Sequence, residues 1–201
     1  LKGIVPPAFY ISNLMKFLGR DYYVSHLTAA AYNGASHQRA MVFQAIVNGG
    51  PIRSGVKNGT SLEFTRRKQM PMSFVMKVKT QTGYMNVAGP ELTALDIVDD
   101  EKKIGGLSRA AEVLMEMCPS MHWDESKLQL LPFFSIPTIQ RLGFILEQIE
   151  EMDIANALFS LILQDKRAIR KTWLKHSKES IAKANLNNRW KIIDNYKLEI
   201  D

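Results

Sequence analysis

The sequence holds one cysteine in 201 residues, Cys118, which excludes an internal disulfide and any zinc site built on several thiolates. It follows the helix-like run Ala110 to Met117, so it reads as a small apolar side chain in a core, in a chain suited to a reducing cytosol. Histidine is scarce too. His26, His37, His122 and His176 are scattered, with no His-x-x-x-His pair and no His-Glu-x-x-His motif, so neither a metal nor another cofactor is expected. Also missing are the glycine-rich phosphate loop, the Gly-x-Ser-x-Gly elbow and Gly-x-Gly-x-x-Gly after a strand. Nucleotide hydrolysis and serine-nucleophile chemistry therefore have no support, and no enzyme is expected. No apolar run reaches the roughly 20 residues that cross a bilayer, since Ile154 to Leu163 is broken by Asn156 and Ser160. The first residues, Leu-Lys-Gly-Ile-Val-Pro-Pro, show neither an initiating methionine nor the layout of a signal peptide. These absences predict a cytoplasmic protein and a sequence cut from a longer one.

What is present is an ordinary globular composition, 46% hydrophobic and 23% charged, arranged in alternating periods. Phe9 to Leu18 repeats its apolar residues with helical spacing up to Gly19, and Tyr22 to Tyr32 reads as a second helix closed by Asn33-Gly34. Strand signals follow. Val42 to Val47 ends in Asn-Gly-Gly-Pro, and Asn58-Gly59 between Ile52 to Val56 and Ser61 to Phe64 is the strongest hairpin signal in the chain. Phe74 to Lys79 alternates, and Tyr84 to Val87 returns after Thr82-Gly83. From Pro90 the period is helical again, with Leu92, Leu95, Ile97 and Val98 on one side. Gly105-Gly106 opens the helix Leu107 to Met117, and Ser135-Ile136-Pro137 leads into Thr138 to Ile149 and then Met152 to Leu163. Arg189 to Ile200 reads as a strand that rejoins the sheet. The expected fold is α+β: a mixed, mostly antiparallel sheet of about five to six strands packed with several helices, a helical C-terminal half and a final strand. With no internal repeat or flexible linker, residues 1–201 are expected to form one domain.

Charge is uneven along the chain. Lys166, Arg167, Arg170, Lys171, Lys175, Lys178, Lys183, Arg189 and Lys191 face only Asp165 and Glu179, so this stretch carries more positive charge than the whole chain's net +6. If Asp165 to Lys178 is helical, Arg167, Arg170, Lys171, Lys175 and Lys178 share one face, which could neutralise phosphates of DNA or meet a partner, or could simply be solvated. Arg66, Arg67 and Lys68 form a second basic cluster at a loop. Acidic groups gather at Asp96, Asp99, Asp100 and Glu101 and again at Glu147, Glu150, Glu151 and Asp153, which suits charge-matched docking without naming the partner.

One constellation tempts a catalytic reading. Glu91, Asp96 and Glu101-Lys102-Lys103 offer the acidic pair and Glu-x-Lys of a metal-dependent nuclease. That chemistry needs carboxylates converging on magnesium and the Glu-x-Lys on a strand, so that both side chains point one way. Here the segment reads as helix then loop. Glu91 then complements the helix dipole in a first turn, and Asp96 ties the helix to a neighbouring loop.

The run Tyr22-Tyr23-Val24-Ser25-His26-Leu27-Thr28-Ala29-Ala30-Ala31-Tyr32-Asn33-Gly34-Ala35-Ser36-His37-Gln38-Arg39 combines small residues, a glycine exit and a His-Gln turn. It resembles the antitoxin family of type IV abortive-infection (AbiE) systems. Gly89 to Val98, Gly105-Gly106-Leu107, Gln140-Arg141-Leu142-Gly143 and Asn188-Arg189-Trp190 are similar to the family's later blocks and stand in its order. Asn33 departs from it, standing where the family often has histidine. The resemblance marks Tyr23, Ala30, Gly34, His37, Gln38, Pro90, Glu91 and Asp96 as a signature, which packing and backbone satisfaction explain. It implies a winged-helix DNA-binding domain ahead of residues 1–201, repression of the protein's own operon through operator DNA, and a homodimer there. It further implies antitoxin action against a nucleotidyltransferase-like toxin, generally without a stable complex between the two. The alternatives are an accessory DNA-binding and dimerising module, and the nuclease.

Overall fold

The computed structural model describes residues 5–35, 41–57, 59–175 and 185–200. They fall into two compact units, one up to Thr93 and one from Ala94 onward.

The first unit is built on a six-stranded sheet. Helix α1 (Ile11–Phe17) buries Ile11 and Met15 and ends at Gly19, whose φ of +62° suits a residue without a side chain. Strand β1 (Tyr22–Val24) follows, then the short helix α2 (His26–Ala30) and strands β2 (Val42–Val47), β3 (Gly55–Lys57), β4 (Thr60–Arg66), β5 (Val75–Thr80) and β6 (Gly83–Ala88). The sheet order is β3-β4-β2-β1-β6-β5. Pairs β1–β2, β3–β4 and β5–β6 are antiparallel, while β1–β6 and β2–β4 are parallel. The expected sheet and both hairpins are therefore present, although Asn58 of the first turn lies outside the described residues.

The expected helix from Tyr22 to Tyr32 is corrected. Tyr22, Tyr23 and Val24 are buried and sit as a central strand between β2 and β6, and only His26–Ala30 is helical. Three consecutive apolar residues carry no period, and the aromatic and β-branched side chains suit a strand covered on both faces. Edge strand β5 keeps Lys77 and Lys79 exposed, which discourages pairing with a further strand.

Helix α3 (Pro90–Asp99) begins with Pro90 in its first turn and carries the chain into the second unit. Every residue from Glu91 to Val98 is buried, so the expected one-sided apolar face is in fact a helix covered all round. A 3-10 turn, Glu101–Ile104, ends at Gly105 with φ +103°, and α4 (Leu107–Met117) starts after Gly106. Leu107, Ala110, Ala111, Leu114 and Met117 recur at helical spacing and are buried. Helix α5 (Ile136–Gln148) is capped by Ser135, whose side chain accepts from the Thr138 N–H at 3.2 Å, and Thr138 Oγ1 donates to Asp99 at 2.7 Å. Helix α6 (Met152–Gln164) packs against α5.

The C-terminal strands are also corrected. β7 (Thr172–Trp173), β8 (Asn185–Asn187) and β9 (Ile192–Asp194) form their own small sheet in the order β7-β9-β8 and do not rejoin the large one. β7 and β9 run parallel, and β8 and β9 antiparallel. No helix among the described residues is long and apolar enough to cross a membrane.

Cys118 is buried in the second unit, and burial, with the nearby Glu151 carboxylate adding to it, pushes the thiol up to about 12. The native thiol is thus neutral at ordinary pH. It is expected to resist a thiol-specific disulfide reagent at pH 8 and to react fully once denaturant unfolds the chain. Equal rates in the two states would contradict its place in the core.

Candidate functional site

In the first unit the signature residues form a framework. Tyr23 is fully buried, and its hydroxyl accepts from the Arg67 guanidinium at 2.6 Å, so Arg67 is turned inward while Arg66 and Lys68 remain exposed. The three loop cations do not form one surface. His26 begins α2 with φ +51° and is buried, its Nδ1 lying 2.7 Å from Ser25 Oγ. Thr28 donates to the Val42 carbonyl at 3.1 Å, and the Gln44 side chain accepts the Leu27 N–H at the same distance, fastening α2 to β2. Ala30 is fully buried, and Gly34, with φ +111°, turns the chain so that the Ala35 N–H donates back to the Ala30 carbonyl. His37 and Gln38 lie outside the described residues.

Asn33, which departs from the family pattern, has a definite task. Its amide donates at 2.9 Å both to the Ala88 carbonyl and to Thr93 Oγ1, joining the end of β6 to the start of α3. A buried asparagine can bridge two acceptors with one NH₂ group, and only that bookkeeping of donors could have flagged it from the sequence. Glu91 lies in the first turn of α3 and is buried, as is Asp96. Among the described residues no three His, Cys, Asp or Glu side chains gather where they could hold a metal ion. Glu101 and Lys103 sit on a 3-10 turn instead of a strand, so the Glu-x-Lys geometry of a nuclease is not formed there.

In the second unit the conditional basic helix is corrected as well. Helix α6 stops at Gln164, and Asp165 takes an extended conformation at φ −70°, ψ 126°. The reason is local. The Asp165 carboxylate accepts the Arg167 backbone N–H at 2.9 Å and the Arg167 guanidinium at 2.6 to 3.1 Å, an aspartate turn that competes with helix continuation. Arg167 donates further to the carbonyls of Phe134 at 2.6 Å and Leu131 at 2.9 Å. It is a structural clasp, and its charge is spent within the fold.

The remaining cations are differently placed. Lys166, Arg170, Lys171 and Lys175 are exposed along an extended strap from Asp165 to Lys175, while Lys178 lies outside the described residues. The Arg170 carbonyl accepts from Gln140 at 2.8 Å, which pins the strap on α5. Lys175 sits 4.1 Å over the Tyr196 ring. Parallel pairing of β7 with β9 sets the Thr172 N–H against the Lys191 carbonyl at 3.0 Å, so Lys171 and Lys191 immediately precede adjacent strands. Lys191, which no helical-face argument would include, is exposed and held at φ +54°. The strap therefore presents Arg170, Lys171 and Lys175 as exposed cations, with Lys191 beside Lys171 on the paired chain and without Arg167.

The later sequence blocks explain how this strap is held. Trp190 is 1% exposed and lies directly on Gly143 of α5, where a methyl group would overlap the indole ring. Gln140 donates to the Trp190 carbonyl at 2.5 Å, and Asn187 accepts the Trp190 N–H at 2.8 Å. Phe159 of α6 meets the indole edge-on at a centroid distance of 5.1 Å. Arg189 reaches Glu147 at 2.7 Å and Asn156 at 2.6 Å while stacking 4.5 Å above Phe159.

Comparison with solved structures supports the architecture. The chain is similar to the RV2827C protein from Mycobacterium tuberculosis, with a TM-score of 0.65 and 12% identity, over 96% of this chain and 69% of that one. It is also similar to an antigenic nucleotidyltransferase-like protein from Paracoccidioides brasiliensis, with a TM-score of 0.50 and 11% identity, over 75% of this chain and 89% of that one. At such identities the likeness is one of fold. Comparison with curated proteins finds no match. The model of the AbiEi antitoxin C-terminal domain matches residues 23–148, from the central strand through α5. The chain belongs to the AbiEi antitoxin C-terminal domain family.

Proposed function

We propose that this chain is the antitoxin domain of a type IV toxin–antitoxin system, both units serving one domain, and that it counteracts a nucleotidyltransferase-like toxin in the cytoplasm without catalysing a reaction. The observation that carries this reading is the family match over residues 23–148. Repression of its own operon belongs to the same reading, with the DNA-binding domain expected ahead of this segment providing the main operator contacts. The test is co-expression with the toxin encoded beside it, which should relieve growth inhibition.

A second reading follows from the exposed strap. Arg170, Lys171, Lys175 and Lys191 are exposed on the strap and at the start of the strand beside it, and exposed cations of this kind can neutralise DNA phosphates and assist operator binding by two copies. Replacing all four by alanine should reduce the slope of log K against log salt for a DNA duplex by about three to four. A slope that does not change removes the strap from DNA binding. Growth relief that survives this replacement would assign antitoxin action to another surface.

A further inference from the structure

The turn after α3 and the middle of α5 enclose a pocket that the antitoxin reading does not use. Its volume is about 360 Å³, and it is lined by Asp99, Asp100, Glu101, Lys102, Lys103, Arg141 and Leu174. Leu174 is 1% exposed and provides an apolar floor. The volume lies at the small end of the range for metabolite sites.

Most of the pocket's charges are already engaged. Asp99 accepts from Thr138 at 2.7 Å, and Asp100 pairs with Lys103 at 3.2 Å. Arg141 is different. Its Nε donates to the Trp173 carbonyl at 2.8 Å, which fixes the plane of the guanidinium, but among the described residues no acceptor lies against its two terminal nitrogens. Burial pulls the Arg141 pKa down, opposed by the charges of Glu101 and then Asp99, and an arginine so placed stays cationic. Glu101, also on the pocket lining, has its Oε2 shielded from solvent and accepting no hydrogen bond among the described residues. Buried polar atoms are nearly always satisfied, so a fixed fork of donors and an orphaned carboxylate oxygen lining one cavity call for a common explanation.

We infer that this pocket binds a small molecule that carries an oxyanion, phosphate or carboxylate, beside an N–H donor. The planar fork of Arg141 matches two oxygens of such a group, and Lys102, exposed on the rim, adds charge. The N–H donor satisfies Glu101. The turn that presents Glu101 is closed by the Gly106 N–H donating to the Glu101 carbonyl at 2.8 Å, which fixes the backbone from which the carboxylate projects. Nucleoside monophosphates and free amino acids are the two sources of this chemistry.

Calorimetric titration of the full chain with inorganic phosphate, the four nucleoside monophosphates and a panel of amino acids tests the assignment. At least one of the larger probes should bind with a Kd tighter than about 100 µM, and its class identifies the source. Arg141→Lys, which keeps the charge and loses the fork, and Glu101→Gln should each weaken that probe at least tenfold while leaving the circular dichroism spectrum unchanged. Three results overturn the inference: none of the probes binds, binding survives both substitutions, or inorganic phosphate binds as tightly as the best larger probe. So does strong coupling between Arg141 and Glu101 in a double-mutant cycle on the stability of the ligand-free protein, because the two groups would then satisfy each other.

Discussion

Gly143→Ala is expected to destabilise the protein by about 3 kcal/mol and to lower its melting temperature by roughly 6 to 12 °C. In an exposed helix the same change would stabilise, because alanine has the higher helix propensity. Here the sign reverses, since the added methyl group would meet the indole of Trp190, which is itself enclosed by Phe159 and tied by its backbone to Gln140 and Asn187. The ring cannot shift without loosening the strap and the small sheet. Trp190→Ala should cost about 3 to 5 kcal/mol through the cavity it leaves. In the double variant the methyl group no longer meets a ring, so its loss in melting temperature should be well below the sum of the two single losses. Differential scanning calorimetry of the three variants decides the matter. Additive losses would mean that Gly143 and Trp190 do not form the joint described above.

Arg167 and its neighbours on the strap should separate cleanly. Arg167→Ala removes the contact with Asp165 and the bonds to two main-chain carbonyls, and should destabilise by about 2 kcal/mol, a figure already reduced for the partial exposure of the guanidinium. Arg170→Ala and Lys171→Ala, both exposed, should change stability by less than about 0.5 kcal/mol. The Asp165 contribution depends on pH. Its side-chain hydrogen bonds from Arg167, with the Arg167 backbone N–H and charge adding, hold the carboxyl below its ordinary value against the opposing effect of burial. A carboxyl whose folded value is depressed gives its stabilisation in full above the unfolded value of about 3.9 and loses it as pH falls through the folded one. Asp165→Asn should therefore lower the unfolding free energy by about 1 to 2 kcal/mol at pH 7, and the gap from the parent should close on acidification below pH 4. A gap that stays constant down to pH 2 would show that Asp165 acts without its charge.

The α+β architecture was legible because its signals are local. Asn58-Gly59 and Thr82-Gly83 set the hairpins, Pro90 and Ser135 mark helix starts, and the Leu107 to Met117 period survives without tertiary help. The failures share one physical cause, the dependence of short segments on their surroundings. Tyr22 to Val24 became a strand because β2 and β6 flank it, and a sequence window of three residues cannot contain those neighbours. The basic helix does not form because of a single side chain: Asp165 captures Arg167 and ends α6, so the charges counted along the sequence lie on an extended strap. Lys191 joins Lys171 only through the parallel pairing of β7 and β9. The signature around Tyr23, Ala30 and Gly34 reads as packing and turn geometry in both sequence and structure. Its value lies in identifying the family, while Asn33 and Trp190 show that fold-defining contacts also occur where the pattern is thin or departs from the family.

Growth of cells that express the proposed nucleotidyltransferase-like toxin together with this segment tests the central claim most directly. Colony counts should return to those of cells without toxin, and the rescue should weaken with Trp190→Ala in proportion to the folded protein that remains. Toxicity that is unrelieved at matched levels of folded protein would contradict the account.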